Sequence, residues 1–279
     1  MFPSLGRGLG LRTPFFARAA SGDCAGVDWF EVITENALVA GGNPRRVLRA
    51  AREHRPLALH GVSLSIASTD PLDDDYLSRV AEHARELEPA MISDHLCWTS
   101  LGGHTTHDLL PVPYTEEALA HVATRVTRVQ ERLGRRILLE NPSTYAVFDG
   151  AELTEWDFLA EVARRADCGI LLDVNNVFVS CTNHGWNAEA YLEAMPVERV
   201  GYLHVAGHTH DGPLLIDTHD QPVCDDVWNL HAAARTRFPT ASTLLERDDH
   251  IPDFDSLVAE LAHDATDRNS KLNASELTP

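Results

Sequence analysis

The segment from Ile137 to Asp173, which reads ILLENPSTYAVFDGAELTEWDFLAEVARRADCGILLD, decides the fold. It begins with a short apolar run, Ile137 to Glu140, and ends with another, Gly169 to Asp173; such runs are typical of strands buried in a parallel sheet. Between them, Glu155 to Ala166 places apolar residues at helical spacing. Two buried strands joined through a helix form a right-handed βαβ unit, so this segment predicts one.

The same alternation extends over the rest of the chain and gives eight strand-like runs in total. The other six runs are Gly8 to Arg12, Trp29 to Thr34, Leu57 to His60, Met91 to His95, Val200 to His204 and Thr243 to Glu246. The other segments with helical spacing are Pro44 to His54, Asp75 to Leu87, Glu116 to Leu133, Ala188 to Ala194, Asp226 to Arg237 and Phe254 to His263. Eight such units predict an α/β protein with a single (β/α)8 TIM barrel.

We place this barrel, as one catalytic domain, in residues 1–265. The remaining residues, 266–279, begin at Thr266 and are polar, so we expect a disordered tail. An open doubly wound sheet is the runner-up, but it needs a glycine-rich loop after an early strand. The glycines of Gly6-Arg7-Gly8-Leu9-Gly10 precede or overlap the first run instead, which disfavours that fold.

Composition limits the classes of function. The formal net charge is −19, which opposes binding to a phosphate backbone and argues against a nucleic-acid partner. The sequence has neither an apolar run of membrane-spanning length nor a signal peptide, so we expect a cytoplasmic protein with no membrane association. The five cysteines lie far apart without paired spacing, which predicts reduced thiols and neither a zinc ribbon nor a disulfide framework.

The candidate site comes from the ends of the runs. In a TIM barrel the active site lies at the carboxyl ends of the strands, where these side chains would converge. The six runs from the third to the eighth end in the metal-binding residues His60, His95, Glu140, Asp173, His204 and Glu246. The loop after the seventh run adds Asp217 and His219, and Asn176 adds an amide oxygen.

Eight or nine ligands exceed the three or four that one catalytic ion needs, so more than one ion is expected. Glu140 is suited to bridge two ions because a carboxylate has two oxygens. Imidazoles and carboxylates without cysteine suit iron, manganese or zinc, and the residues alone leave that choice open.

Several motifs together resemble a known family. They are Phe30-Glu31-Val32-Ile33-Thr34-Glu35-Asn36, His60-Gly61-Val62-Ser63-Leu64-Ser65, Ser93-Asp94-His95-Leu96, Leu109-Leu110-Pro111-Val112-Pro113-Tyr114-Thr115, Leu139-Glu140-Asn141-Pro142, Leu172-Asp173-Val174-Asn175-Asn176, Asn183-His184-Gly185 and the stretch from Leu203 to His219. The ligand pattern resembles that of xylose-isomerase-like barrels related to apurinic endonucleases. The closer resemblance is to the DUF692 family of multinuclear non-haem iron-dependent oxidases, which includes the methanobactin biosynthesis enzyme, and it extends over about residues 6 to 264.

This resemblance implies a non-haem oxidoreductase with two or three iron ions, of mixed Fe(II) and Fe(III) state, and dioxygen as co-substrate. Its substrate would be a residue, most often cysteine, of a ribosomally made precursor peptide in natural-product biosynthesis. Such systems often use a separate protein that holds the leader of the precursor, and we expect a partner of that kind.

The resemblance also implies which residues hold each ion. His60, His95, Glu140 and Glu246 correspond to the ligands of one iron, and Glu140, Asp173, His204 and Glu246 to those of a second. Asn176, Asp217 and His219 correspond to a third and looser site. The related endonucleases have a histidine at the position of Asn176, so the third ion is expected to bind more weakly here.

Three further residues are candidate catalytic groups. Glu35 and His184 are interpreted as contacts to the ligands or to the substrate, and His208, near His210, as an acid or a base at the mouth of the barrel.

A zinc- or manganese-dependent hydrolase or isomerase on the same barrel, acting on a phosphodiester or a sugar, is the alternative that the ligands alone permit. The acidic net charge of the chain counts against DNA as the phosphodiester substrate. The only lysine in the chain is Lys271, in the tail, which counts against a sugar isomerase with a catalytic lysine near its metals.

Overall fold

The computed structural model describes residues 2–38 and 41–264. The strands within them are β1 (Arg7–Gly10), β2 (Trp29–Ile33), β3 (Leu57–Gly61), β4 (Met91–His95), β5 (Trp98–Leu101), β6 (His104–Leu110), β7 (Leu138–Glu140), β8 (Gly169–Asp173), β9 (Val200–Val205), β10 (Thr209–Asp211), β11 (Leu214–Ile216) and β12 (Ser242–Leu245). The α-helices are α1 (Phe16–Ser21), α2 (Thr34–Ala37), α3 (Asn43–His54), α4 (Asp74–Leu87), α5 (Glu116–Leu133), α6 (Glu155–Arg165), α7 (Val174–His184), α8 (Ala188–Ala194), α9 (Asp225–Arg237) and α10 (Phe254–Leu261). The tail expected from Thr266 lies outside the described residues.

Eight of these strands are parallel and close into a barrel in the order β1-β12-β9-β8-β7-β4-β3-β2. The ring is complete because β1 pairs in parallel with both β12 and β2. The predicted (β/α)8 barrel is therefore confirmed, and the eight predicted runs correspond to its eight strands. None of the helices in the described part of the chain is long and apolar enough to cross a membrane.

Several helices are capped at their N-termini by the side chain of the residue that precedes the helix. Thr115, Thr154 and Asp253 each accept a hydrogen bond from a backbone N–H in the first turn of α5, α6 and α10. Asp73 does the same for α4. Such caps satisfy N–H groups that have no partner within the helix, which explains why these helices begin close to the predicted positions.

Helix α7 was not predicted from the sequence. It begins directly after β8 with no intervening loop, and the side chain of Asp173, the last residue of the strand, accepts a hydrogen bond from the backbone N–H of Asn176. Its sequence, VNNVFVSCTNH, is rich in β-branched residues and asparagine, which have low helix propensity. Burial of the helix outweighs this propensity.

Two antiparallel hairpins extend the loops above the barrel. Strands β5 and β6 form one after β4, and strands β10 and β11 form the other after β9. Residues 102–108, which are not among the predicted strand-like runs, form the turn of the first hairpin and most of β6. Both hairpins follow barrel strands, so they lie at the end where the candidate ligands converge.

The opposite end of the barrel is filled with apolar side chains. Trp29, Met91, Leu138 and other residues near the beginnings of the strands are fully or almost fully buried there, and Phe2 packs against them. A side chain on Gly169 would collide with the ring of Phe2, so the absence of a Cβ at this position leaves room for the ring. The barrel is consequently closed at this end and open at the other.

Candidate metal centre

Glu140 ends β7 at the centre of the site. Its Oε2 atom lies 3.0 Å from Nε2 of His60, which is on β3, and 3.2 Å from Nε2 of His95, the last residue of β4. Its Oε1 atom lies 3.3 Å from Nδ1 of His204 on β9. All four side chains are buried, and they come from four different strands. The two carboxylate oxygens face two different groups of donors, as a carboxylate that bridges two ions requires.

The second group surrounds His204. Its Nδ1 atom lies 3.0 Å from Oε2 of Glu246, which directly follows β12, and 3.7 Å from Oδ2 of Asp173 at the end of β8. One donor atom from each of Glu140, Asp173 and His204 lies within 4.8 Å of the others, which is close enough to surround one ion.

An outer group lies in the loop after β11. Nε2 of His219 is 2.6 Å from Oδ1 of Asp217 and 3.7 Å from Oδ2 of Asp173, while its Nδ1 is 3.3 Å from Oε2 of Glu246. His219 has a positive φ of 49°, an uncommon conformation for a histidine. The loop therefore turns sharply at the residue that it brings to the site.

The hydrogen-bond partners of the buried polar atoms test whether this donor set fits metal ions. Buried polar atoms in proteins nearly always have hydrogen-bond partners. Five buried atoms of this cluster make no hydrogen bond of acceptable geometry, in spite of the close contacts given above: Oε2 of Glu140, Oδ2 of Asp173, Oδ1 of Asn176, Nδ1 of His204 and Nε2 of His219. All belong to residues that the sequence proposed as ligands, and bound cations would satisfy them.

The charges of the cluster are strongly coupled. Burial by itself would raise the pKa of Glu140, but the neighbouring His95, His60 and His204 outweigh burial and hold that pKa well below its ordinary value. Burial dominates at Asp173, whose pKa is raised to about 7, with the charge of His219 opposing the shift. Carboxylates this close are stable together only with protons or cations between them.

The ring nitrogens that face away from the centre are held by the protein. Nδ1 of His60 is 2.9 Å from Oγ of Ser93, and Nδ1 of His95 is 3.0 Å from the carbonyl oxygen of Gly61. Nε2 of His204 is 3.1 Å from Oε2 of Glu31. Such partners orient histidines that bind metals.

The sequence interpretation missed Glu31. It lies in the middle of β2 and is buried inside the barrel, where its side chain also accepts a hydrogen bond from the hydroxyl of Tyr202. A carboxylate in the middle of an apolar strand is the sequence signal that could have identified it.

A cavity of about 470 Å³ opens above the cluster. Six of the proposed ligands contribute to its walls: His60, His95, Asn176, Asp217, His219 and Glu246. Thr105, His107 and Leu109 of strand β6 form part of the opposite wall, so that hairpin lies across the mouth. The described residues that line this cavity include no cysteine.

The three candidate catalytic residues lie around the mouth and do not line this cavity. Oε1 of Glu35 accepts hydrogen bonds from the backbone N–H groups of Val62 and Ser63, directly after β3. Nε2 of His184 is 2.9 Å from the carbonyl oxygen of Thr144. Nδ1 of His208 is 2.8 Å from Oδ1 of Asn175, the neighbour of Asn176.

The chain belongs to a family of peptide-modifying enzymes. Residues 6–267 match the family described as "RiPP precursor modification enzyme MbnB/TglH/ChrH", where RiPP denotes a ribosomally synthesised and post-translationally modified peptide. The resemblance to the DUF692 family is thereby confirmed. The protein is accordingly an enzyme that modifies a precursor peptide.

Relatives of similar length support this membership. The chain is 55% identical over 256 residues to a UPF0276 protein from Anaeromyxobacter sp. (strain Fw109-5), covering 92% of this chain and 90% of the relative. It is 51% identical over 255 residues to a UPF0276 protein from Rhizorhabdus wittichii, covering 91% of each.

Solved structures with the same fold are more distant. D-psicose 3-epimerase from Clostridium cellulolyticum superposes with a TM-score of 0.63 at 11% identity, covering 95% of this chain and 98% of the epimerase. Endonuclease IV from Thermus thermophilus superposes with a TM-score of 0.58 at 15% identity, covering 92% of this chain and 97% of the endonuclease. At these identities the likeness concerns the barrel alone.

Proposed function

We propose that this protein is a multinuclear iron enzyme that uses dioxygen to oxidise a residue, most often cysteine, of its precursor peptide. The observation that carries the proposal is the cluster around Glu140, where imidazoles and carboxylates from successive strands leave buried atoms without hydrogen-bond partners. Nitrogen and oxygen donors of this kind suit iron. Bound iron would supply the electrons and the coordination position for dioxygen that amino-acid side chains lack.

The proposed ligand sets are those that the resemblance to the DUF692 family implies, and the short distances from Glu140 to His60, His95 and His204 support their inner part. We assign His60, His95, Glu140 and Glu246 to one ion, and Glu140, Asp173, His204 and Glu246 to a second. Asn176, Asp217 and His219 form the third and outermost set. Asn176 offers a neutral amide oxygen in place of a charged or imidazole donor, so the third ion is expected to exchange most readily.

The rim of the mouth supports a peptide substrate. The loop after β7 exposes Tyr145, Val147 and Phe148, whose exposed fractions are 45%, 52% and 42%. The backbone N–H of Asp217 donates a hydrogen bond of 2.9 Å to the hydroxyl of Tyr145, which connects this apolar rim to the outer ligands. Apolar and aromatic surface next to an active site fits peptide side chains better than a phosphodiester or a sugar.

The candidate catalytic residues complete the proposal. Glu35 would hold the backbone after His60, and His184 would hold the loop that carries the apolar rim. Burial, with the nearby charge of His210, lowers the pKa of His208, so this imidazole is neutral near pH 7 and able to accept a proton at the mouth.

Iron loading under anaerobic conditions, followed by exposure to oxygen, tests the proposal. We expect two to three irons per chain, and oxygen uptake that requires a cysteine-containing precursor peptide and changes its mass. Hydrolytic activity with zinc alone and no oxygen uptake would overturn the proposal. The variants His95→Ala and Glu140→Ala should lose oxygen uptake with the barrel still folded. His83→Ala is the matched control, because His83 is a buried histidine on α4, outside the cluster.

We also propose a separate partner protein that holds the leader of the precursor. The test compares the affinity of the purified chain for the full precursor with and without proteins encoded by neighbouring genes. Tight stoichiometric binding of the precursor by the chain alone would refute this partner.

A further inference from the structure

A layer of polar side chains lies inside the barrel directly beneath the candidate metal centre. Glu31 on β2, Ser93 on β4 and Tyr202 on β9 are all fully or almost fully buried. The hydroxyl of Tyr202 lies 2.7 Å from Oε2 of Glu31 and 2.6 Å from Oγ of Ser93. We refer to Glu31, Ser93 and Tyr202 as the polar floor.

The polar floor ends at two of the proposed ligands. Oε2 of Glu31 is 3.1 Å from Nε2 of His204, and Oγ of Ser93 is 2.9 Å from Nδ1 of His60. The two histidines thus present opposite atoms to the centre: His60 presents Nε2 to Glu140, whereas His204 presents Nδ1.

The directions of these hydrogen bonds follow from the hydroxyl of Tyr202, which donates to Oε2 of Glu31. A hydroxyl has one proton, so Tyr202 has none left to donate to Ser93. Ser93 donates to the oxygen of Tyr202 at 2.6 Å in preference to its other acceptor, the carbonyl oxygen of Leu59 at 3.4 Å. The oxygen of Ser93 then accepts from the N–H at Nδ1 of His60. On the other branch Glu31 accepts from the N–H at Nε2 of His204.

We infer that Glu31 is a positioning residue that selects the metal-binding nitrogen of two ligands at once, directly at His204 and through Tyr202 and Ser93 at His60. Each histidine keeps its proton on the nitrogen that faces the floor and its lone pair on the nitrogen that faces the centre. Glu31 acts through its Oε2 atom, which makes both of these hydrogen bonds. This inference rests on the proposed metal centre but not on the identity of the metal or on the reaction.

The first experiment loads the 15N-histidine-labelled full chain with Zn²⁺, a diamagnetic probe, and records long-range 1H–15N correlations. We expect His60 to bind through Nε2 and His204 through Nδ1. Ligation of His204 through Nε2, or of His60 through Nδ1, would overturn the inference. A wild-type chain that takes up no Zn²⁺ would overturn the metal centre and this inference with it.

The second experiment is a competition titration with Zn²⁺. It separates the direct contact of Glu31 with His204 from its indirect connection to His60 through Tyr202 and Ser93. Tyr202→Phe removes the connection to His60 alone and should weaken binding at the ion of His60 by about 10- to 100-fold, the usual effect of losing such a partner. Glu31→Leu should weaken binding at both ions.

Two further variants serve as controls. Glu31→Gln keeps an acceptor oxygen and should recover part of the affinity that Glu31→Leu loses. Tyr191→Phe removes another buried tyrosine hydroxyl bonded to a glutamate, Glu155, outside the floor, and should change neither site. Zn²⁺ binding at full affinity in both Tyr202→Phe and Glu31→Leu would overturn the role of the floor while leaving the metal centre intact.

Discussion

The Oδ1 atom of Asp173 accepts a hydrogen bond of 2.7 Å from the backbone N–H of Asn176, so one oxygen of this carboxylate begins helix α7. The other oxygen, Oδ2, is buried among the candidate ligands without a hydrogen-bond partner. The first turn of the helix therefore fixes the orientation of a proposed metal ligand.

Two substitutions at Asp173 should separate these roles. Asp173→Asn keeps the capping oxygen but replaces the other with an NH2 group, so we expect the chain to lose one metal ion with the stability of its metal-free form near wild type. Asp173→Ala should lose the same ion and also about 0.5–2 kcal/mol of unfolding free energy, because the cap is lost. Metal analysis and urea unfolding of the metal-free chain measure the two effects. Full metal content in Asp173→Asn would contradict the assignment.

The metal affinity should depend on pH. Burial by itself lowers the pKa of His60, but the charges of Glu31 and Glu140 outweigh it and raise this pKa to about 9 in the metal-free chain. The raised pKa stabilises the metal-free fold fully below the pKa of an unfolded histidine, about 6.5, and this stabilisation is lost as the pH rises through 9. Because the metal displaces that proton, the affinity should rise between about pH 6.5 and 9. Calorimetric titrations in buffers of different ionisation enthalpy count the protons released, and a constant affinity over this range would contradict the prediction.

Arg12 should stabilise the metal-free chain more than the loaded one. It is buried, and its Nη2 atom lies 3.4 Å from Oε1 of Glu246 and also pairs with Asp248. Arg12→Leu removes this cation from the buried Glu246, whose other partners are His204 and His219, so we expect a loss of about 1.5–3 kcal/mol. Bound metal would neutralise Glu246, so the loss should be smaller in the loaded chain. Urea unfolding with and without metal measures the difference, and equal losses in both forms would contradict the prediction. Arg18→Leu, which removes an exposed pair with Asp255, is the control.

Charge on the apolar rim should weaken peptide binding without altering the metal centre. We expect Phe148→Asp to raise KM for the precursor about tenfold, which corresponds to about 1.4 kcal/mol, with kcat and iron content unchanged. Val197→Asp is the matched control, because Val197 is also exposed but precedes β9 and lies at the opposite end of the barrel. A similar KM increase in both variants would show that the effect is not local.

The sequence predicted the barrel and the positions of its strand ends because these depend on local patterns. Apolar runs that end in His, Asp or Glu identify strands whose last side chain points to the mouth, and His95, Glu140 and Asp173 occupy those positions in the structure. What the sequence could not provide is contact between distant strands. Glu31 and Tyr202 lie 171 positions apart, and only closure of the barrel brings them together. Whether the proposed ligands bind metal stays a prediction.

The apolar packing of Phe2 fills the lower end of the barrel, and the cavity over the candidate metal centre opens at the other end, at the mouth. In the proposed reaction, ions, dioxygen and the peptide would share the mouth beneath the β5–β6 hairpin, and a seated peptide would block the path of any ion. Access would then set the order of assembly: the centre would be filled before the substrate arrives, and an ion lost during turnover would be replaced after the peptide has left.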